Sequence, residues 1–153
     1  MALLRVCILL LAIFMRADSR LSRVLHVLLH MSASSDPMTS EQIAQIIKTN
    51  SAVIRRTMGG LRKAGYVSSE KGHHGGWTLS CDLKQVTLLD IFEAVGTKQI
   101  FAIGLDQQDP NCAVEKAVNE AISGAMYEAE SILLTCFGNL TLEELSLRFK
   151  KYL

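Results

Sequence analysis

The stretch TSEQIAQIIKTNSAVIRRTMGGLRKAGYVSSEKGHHGGWTL, residues 39–79, decides the fold. It opens on Thr39-Ser40-Glu41-Gln42, the S/T-x-x-E/Q pattern in which the first hydroxyl caps a helix and the fourth side chain reaches back. The helix so opened carries Ile43, Ala44, Ile46 and Ile47. It is short, because Lys48-Thr49-Asn50 breaks the apolar pattern and Asn50 is itself a good cap. A second helix is predicted from Asn50 to about Ala64, with Val53, Ile54, Met58 (or Thr57) and Leu61 on its buried side. Gly65 follows as a helix-ending glycine, where a left-handed backbone costs little. Gly59-Gly60 weaken that helix by about 1 kcal/mol each relative to Ala, which close approach of a neighbouring helix would explain. Tyr66-Val67-Ser68 reads as a strand, residues 70–76 as a glycine-rich tip, and Trp77-Thr78-Leu79 as the returning strand.

Upstream, residues 20–31 place Leu21, Val24, Leu25, Leu28 and Leu29 at i, i+3, i+4, i+7 and i+8, one apolar face of a helix. Residues 32–37 (SASSDP) form a loop by composition. Downstream, Thr87 caps a short helix over residues 88–95, and residues 106–111 (DQQDPN) are a loop. Residues 112 to about 134 give the longest helical pattern, rich in Ala with Ile and Met. Thr141 caps a last helix over residues 142–149. Helix, short helix, tight turn, second helix and hairpin, in that order, make a winged helix-turn-helix. The fold class expected is therefore mostly α with a small β-hairpin. In such a module the second helix of the pair enters the DNA major groove and the hairpin reaches the flanking backbone.

Charge agrees with that reading once it is divided along the chain. The total is +1, from 16 Lys+Arg and 15 Asp+Glu. Residues 15–86 hold ten of the basic residues and five acids; residues 87–153 hold five basic residues and ten acids. Local positive charge is what phosphate affinity requires. The neutral total excludes a polycation and an acidic disordered tail. No Ser/His/Asp or Cys/His arrangement is present, and His26, His30, His73 and His74 sit in the first helix and the wing, so an enzyme is not expected. A winged helix that serves only as a protein-interaction module is the alternative, and the basic first half argues against it.

The hydrophobic content of 49% and mean hydropathy of +0.24 have a local source. Residues 1–14, MALLRVCILLLAIF, contain one polar residue, Arg5. The run is too short to span a bilayer, which takes roughly 20 residues. Three readings stand: an upstream extension before a start at Met15, a structural N-terminal segment, or a signal or anchor without a clear cleavage site. Without residues 1–14 the apolar fraction falls to roughly 45%, ordinary for a globular domain. Cys7, Cys81, Cys112 and Cys136 are widely spaced, with no zinc-site pattern, and read as reduced thiols of a cytoplasmic protein.

From about residue 19 to residue 96 the sequence resembles the Rrf-two family of bacterial winged-helix transcriptional regulators, the IscR-, NsrR- and CymR-like proteins. The likeness is carried by the opening helix, by residues 43–53, and by Leu61-Arg62-Lys63-Ala64-Gly65-Tyr66-Val67. It is most specific at Lys71-Gly72-x-x-Gly75-Gly76-Trp77-x-Leu79, where the family usually has Arg-Gly-x-x-Gly-Gly-Tyr/Phe-x-Leu. Thr87-Leu88-Leu89-Asp90-Ile91-x-x-Ala94-Val95 is also typical. It begins just after Met15, which favours the extension reading of residues 1–14. The resemblance implies a long dimerisation helix after the hairpin, which residues 112–134 fit. Three segments are thus expected: the apolar extension 1–14, a winged helix-turn-helix domain at 15–96, and an effector and dimerisation region at 97–153.

The residues expected to meet DNA follow from this frame. Arg55 and Arg56 lie on the outward side of the recognition helix and can pair with guanine. Asn50, Ser51 and Ala52 open that helix, where backbone N–H groups can hold phosphate. Arg20 and Arg23 are placed to contact phosphates. Lys71, Gly72, His73 and His74 form the wing tip. The adjacent histidines read as phosphate-facing, and no metal ligand is assigned. Cluster-binding relatives carry three cysteines before the long helix; here residues 98–119 offer only Cys112, so no iron–sulfur cluster or other cofactor is expected. What remains is a thiol near a helix N-terminus, a position that favours the thiolate, and Cys112 is the candidate redox sensor. The partners expected are a palindromic double-stranded operator, a second copy of the chain, and a small-molecule or oxidant effector; no membrane is expected.

Overall fold

A computed structural model of the chain describes residues 19–72, 75–96, 100–101, 103–109 and 111–152. The expectations for residues 1–14, for His73 and His74, and for Pro110 beside Cys112 lie outside the described residues. The described elements are α1 (Arg20–Ser32), α2 (Ser40–Ile46), α3 (Ser51–Lys63), β1 (Val67–Ser69), β2 (Trp77–Leu79), α4 (Leu88–Val95), α5 (Ala113–Gly138) and α6 (Leu142–Lys150).

The starts of α2, α3, α4 and α6 are set by side chains. Thr39 with Gln42, Thr87 with Asp90 and Thr141 with Glu144 each form a reciprocal capping box. Each such cap satisfies N–H groups that the first helical turn leaves orphaned, and is worth about 1 kcal/mol. The starts of α4 and α6 are also tied to each other. The Leu88 N–H donates to the Leu140 carbonyl at 2.9 Å, and the Leu142 N–H donates to the Val86 carbonyl at 2.9 Å.

The core gathers around α4, which packs on α1, α3 and α5. Ile91 of α4 is 0% exposed. Around it lie Leu28 of α1, Ile43 of α2, Met58 and Leu61 of α3, Val67 of β1 and Leu142 of α6, all fully buried. Burial of each such Leu, Ile or Met stabilises the fold by about 1.5–3 kcal/mol.

Two faces differ from the periodicity reading. On α3 the buried stripe is Ile54, Met58 and Leu61, at i, i+4 and i+7, and Val53 is 45% exposed. Val53 precedes Ile54 by about 100° of helix rotation, which carries it to the edge of the face that α2 and α4 cover. On α1 the buried residues are Val24, Val27, Leu28 and Met31, while Leu25 and Leu29 are half-buried. Both α4 and α6 pack on α1, and their positions set the stripe. The Gly59-Gly60 pair has only a partial packing reason. A Cβ on Gly60 would stand 3.9 Å from the Ala94 carbonyl oxygen, and one on Gly59 would meet nothing within 4 Å.

The wing is a two-stranded antiparallel hairpin with a third partner. Val67, Ser68 and Ser69 pair with Leu79, Thr78 and Trp77. On its other edge Trp77 pairs with Met38, exchanging N–H···O bonds of 3.0 and 2.8 Å. The Trp77 indole N–H donates to the Ser40 hydroxyl at 3.0 Å, which satisfies the buried serine. The hairpin is thereby stitched to the segment that enters α2. Gly76 is required by that stitching: a Cβ there would come within 2.9–3.0 Å of the Met38 backbone. Gly76→Ala is expected to destabilise the domain by about 1–3 kcal/mol, because the clash is with backbone and cannot be relieved by a rotamer change. A urea unfolding curve with an unshifted midpoint would contradict this.

Candidate nucleic-acid interface

The geometry of the helix pair begins at the turn. The Thr49 N–H donates to the Ala44 carbonyl at 2.9 Å and closes the end of α2. Lys48 takes a positive φ of 51° there, the left-handed conformation that usually falls to Gly or Asn. Asn50 then caps α3, its Oδ1 accepting from the Ala52 N–H at 2.7 Å. The Asn50 carbonyl accepts from the N–H groups of both Val53 and Ile54. Of the amides that open α3, those of Ala52 and Val53 are therefore already engaged by Asn50.

Several side chains of α3 are presented outward. Ala52, Arg55 and Arg56 are exposed, and Ser51 is half-buried. Arg55 is held rather than free. One guanidinium nitrogen lies 2.9 Å from Glu41 Oε1 of α2, and the other donates to the Ser51 hydroxyl at 3.1 Å. Both partners of the ion pair are more than half exposed, so it is worth about 0–1 kcal/mol and is readily exchanged for a DNA contact. Glu41 and Ser51 thus pre-orient Arg55. Glu41 is a partner of Arg55 that sequence reasoning missed, since nothing in a separation of 14 residues signals the pair.

Arg56 faces a different neighbourhood. It lines a groove of about 200 Å³ between α1, α3 and α4, together with Arg20 and Arg23. The floor of this groove is apolar, from Val24, Val27 and Val53 among others. The structure therefore brings Arg20 and Arg23 of α1 to Arg56 of α3. Lys71 and Gly72, at the wing tip, line none of it. Both are exposed, and Gly72 has a φ of 116° that only glycine adopts without strain. Gly75 turns just beyond, its N–H donating to the Gly72 carbonyl at 3.0 Å. The wing base is braced by Arg62, which donates to the Ser69 hydroxyl at 3.0 Å.

The second candidate site is the entrance to α5. Cys112 is the N-cap residue, half-buried, with no side-chain capping bond. Its N–H donates to the Asp109 carbonyl at 3.0 Å. Asp109 also accepts from the Asn111 N–H at 3.0 Å, and Glu115 accepts from the Asp109 N–H at 3.1 Å. The thiol therefore sits in a short hydrogen-bonded turn. Cys81 is a contrasting thiol: burial pushes its pKa up, and Asp82 adds to that, against a backbone hydrogen bond that lowers it.

Helix α5 is longer than the sequence reading, running to Gly138 rather than about Leu134. Its C-terminal end rests on α4, with the Phe137 and Phe92 rings 5.9 Å apart. None of its 26 residues is buried. Val114, Val118, Tyr127 and Ile132 are all half exposed or more.

Two capped helices joined by a tight turn, followed by a braced hairpin, define a winged helix-turn-helix protein. Residues 17–147 match the Rrf2 family, described as iron-dependent transcriptional regulators. The chain is 32% identical over 106 residues to YwnA of Bacillus subtilis, a candidate HTH-type transcriptional regulator; the match covers 69% of this chain and 77% of that one. Its fold is similar to that of a candidate transcriptional regulator from Lactobacillus plantarum, with a TM-score of 0.73, 20% identity, and 88% and 91% of the two chains covered. It is also similar to CymR, the global cysteine regulator of Bacillus subtilis, with a TM-score of 0.53, 19% identity, and 86% and 95% covered. The chain belongs to the Rrf2 family: it is a DNA-binding transcriptional regulator of the winged-helix type, and not an enzyme.

The donor set does not fit an iron–sulfur cluster. Residues 98–119 contain one cysteine and no histidine. Among the described residues no three His, Cys, Asp or Glu side chains converge where an ion could be held. Also among the described residues, no helix is long and apolar enough to cross a membrane.

Proposed function

We propose that the chain acts in the cytoplasm as a homodimeric repressor that reads a near-palindromic operator, with one α3 in each half-site. The observation that carries this reading is α3 itself, capped, rigidly packed on one face, and presenting Ser51, Ala52, Arg55 and Arg56 on the other. Arg55 and Arg56 supply base contacts, with Asn50 fixing the helix start. Arg20, Arg23 and Lys71 hold phosphates, and Gly72 lets the wing backbone approach the duplex. His73 and His74, next in sequence, are proposed to contact phosphate as well. Residues 15–96 form the DNA-binding unit and residues 97–153 the effector and dimerisation unit.

The unpartnered length of α5 supports self-association. Val118, Ile122, Ala125, Ala129, Ile132 and Cys136 fall at alternating spacings of four and three, a seam on one face of the helix. Two copies related by a two-fold axis would set two recognition helices at a fixed separation. The experiment that tests the whole reading is a footprint on the promoter upstream of the protein's own gene. A protected two-fold-symmetric site is the expected result, and random coating of the fragment would sink it.

Cys112 is the proposed input. Oxidation of its thiol to a sulfenic acid or a mixed disulfide would add bulk and polarity in the turn that leads into α5. Cys112→Ser is expected to keep operator affinity under reducing conditions and to lose the release of DNA by peroxide. Gel shifts with and without oxidant check this, and an unchanged peroxide response in the variant would remove Cys112 from the role. Cys81, whose raised pKa disfavours the thiolate, is expected to be silent in the same assay.

A further inference from the structure

Two histidines outside the DNA-reading surface take no part in the function above. His26 and His30 stand one turn apart on α1, with their Nε2 atoms 3.0 Å from each other. The rings are inclined at 41° with centroids 4.9 Å apart, so the two Nε2 atoms converge at one point. At that contact one Nε2 carries a hydrogen and the other offers its lone pair. The His30 ring also lies near Phe149 of α6, at 6.2 Å between centroids. Burial lowers the pKa of His30, and His26 beside it lowers it further.

Neutral imidazole is a metal ligand, and i, i+4 spacing places two on one helix face. Metal–nitrogen bonds of about 2.0–2.1 Å to atoms 3.0 Å apart subtend about 90–97° at a shared ion. That is the angle between neighbouring ligands of an octahedral or square-planar ion. A tetrahedral ion with the same bonds would need the nitrogens about 3.3–3.4 Å apart. Among divalent ions that accept imidazole, Ni²⁺ and Cu²⁺ have the matching geometry.

We propose that His26 and His30 form a two-point chelate for a divalent transition-metal ion of the Ni²⁺ or Cu²⁺ type on the outer face of α1. The ion displaces the shared hydrogen and stands beside the line between the two Nε2 atoms, bonded to both. That hydrogen moves from Nε2 to Nδ1 of the donating ring, and both rings stay neutral. Among the described residues no third His, Cys, Asp or Glu side chain completes the site, so its remaining positions belong to water or a small exogenous ligand. Occupancy clamps two successive turns of α1, the helix that contributes Val24, Val27, Leu28 and Met31 to the core.

The test is calorimetric titration of Ni²⁺ into the full reduced chain, paired with thermal unfolding. The expected result is a site of one ion per chain, with Tm rising as Ni²⁺ is added. His26→Asn and His30→Asn should each weaken it at least about tenfold, since one arm alone loses the intramolecular advantage of the second. His73→Asn with His74→Asn should leave it intact. Should His30→Asn fold poorly, the exposed His26→Asn carries the test alone. Undiminished binding in the His26→Asn variant, binding lost with the wing histidines instead, or no Tm response to Ni²⁺ would each overturn the proposal.

Discussion

Replacing Arg55 and Arg56 together by Ala is expected to cut specific operator affinity by about 30-fold to 10⁴-fold per half-site. A bidentate Arg–guanine pair discriminates by about 1–3 kcal/mol, and two such pairs give about 2–6 kcal/mol. Neither arginine is buried, so folding should be untouched and the unfolding midpoint unchanged. The informative quantity is the ratio of specific to non-specific affinity, measured by gel shift at several salt concentrations. Loss of base contacts lowers that ratio. Loss of phosphate contacts alone leaves it intact and reduces the salt slope by roughly two. An unchanged ratio in the double variant would therefore show that these arginines position the protein without specifying sequence. The Glu41–Arg55 pair adds a directional check. Glu41→Gln releases the guanidinium and removes a negative charge beside the DNA, so it should tighten binding modestly, and most at low salt.

This pre-orientation shows where the sequence was legible and where it was not. The helix starts were legible because Thr39, Asn50, Thr87 and Thr141 announce them chemically, and each side chain makes the expected capping bond. The glycines of the wing were legible as punctuation, but their reasons were not. Gly76 is constrained by Met38, a single pairing residue in a loop that no periodicity marks. The tight turn at residues 48–50 was legible from the broken apolar pattern, but its left-handed backbone was not, since it is carried by Lys48 and not by a glycine. Val53 was misplaced because apolar type and burial separate at the edge of a stripe, where one residue's rotation decides. For the site, residue types on α3 could be read, but their partners could not. That Arg55 leans on Glu41 while Arg56 joins Arg20 and Arg23 depends on how three helices pack.

Helix α5 poses the remaining problem, because a helix of 26 residues with none buried is not stabilised by its own chain over most of its length. Isolated helices are marginal in water, and a long one persists when an apolar face is covered. A second copy covering the seam would bury Val118, now 50% exposed, and Ile132, now 66% exposed, on both protomers. Since each is already partly covered, burying the rest stabilises the pair by about 1–2 kcal/mol per residue. Val118→Glu with Ile132→Glu replaces that gain with buried like charges, at a cost of several kcal/mol per ion. The variant is expected to sediment as a monomer at concentrations where the parent is a dimer. It should retain the far-ultraviolet signature of the winged-helix domain, since neither residue contributes to that core. Operator affinity should fall by about 10²-fold to 10⁴-fold, because each recognition helix then binds without the high local concentration of its twin. A dimer that survives both charges would place the contact elsewhere, whereas a monomer with undiminished affinity would separate dimerisation from DNA reading altogether.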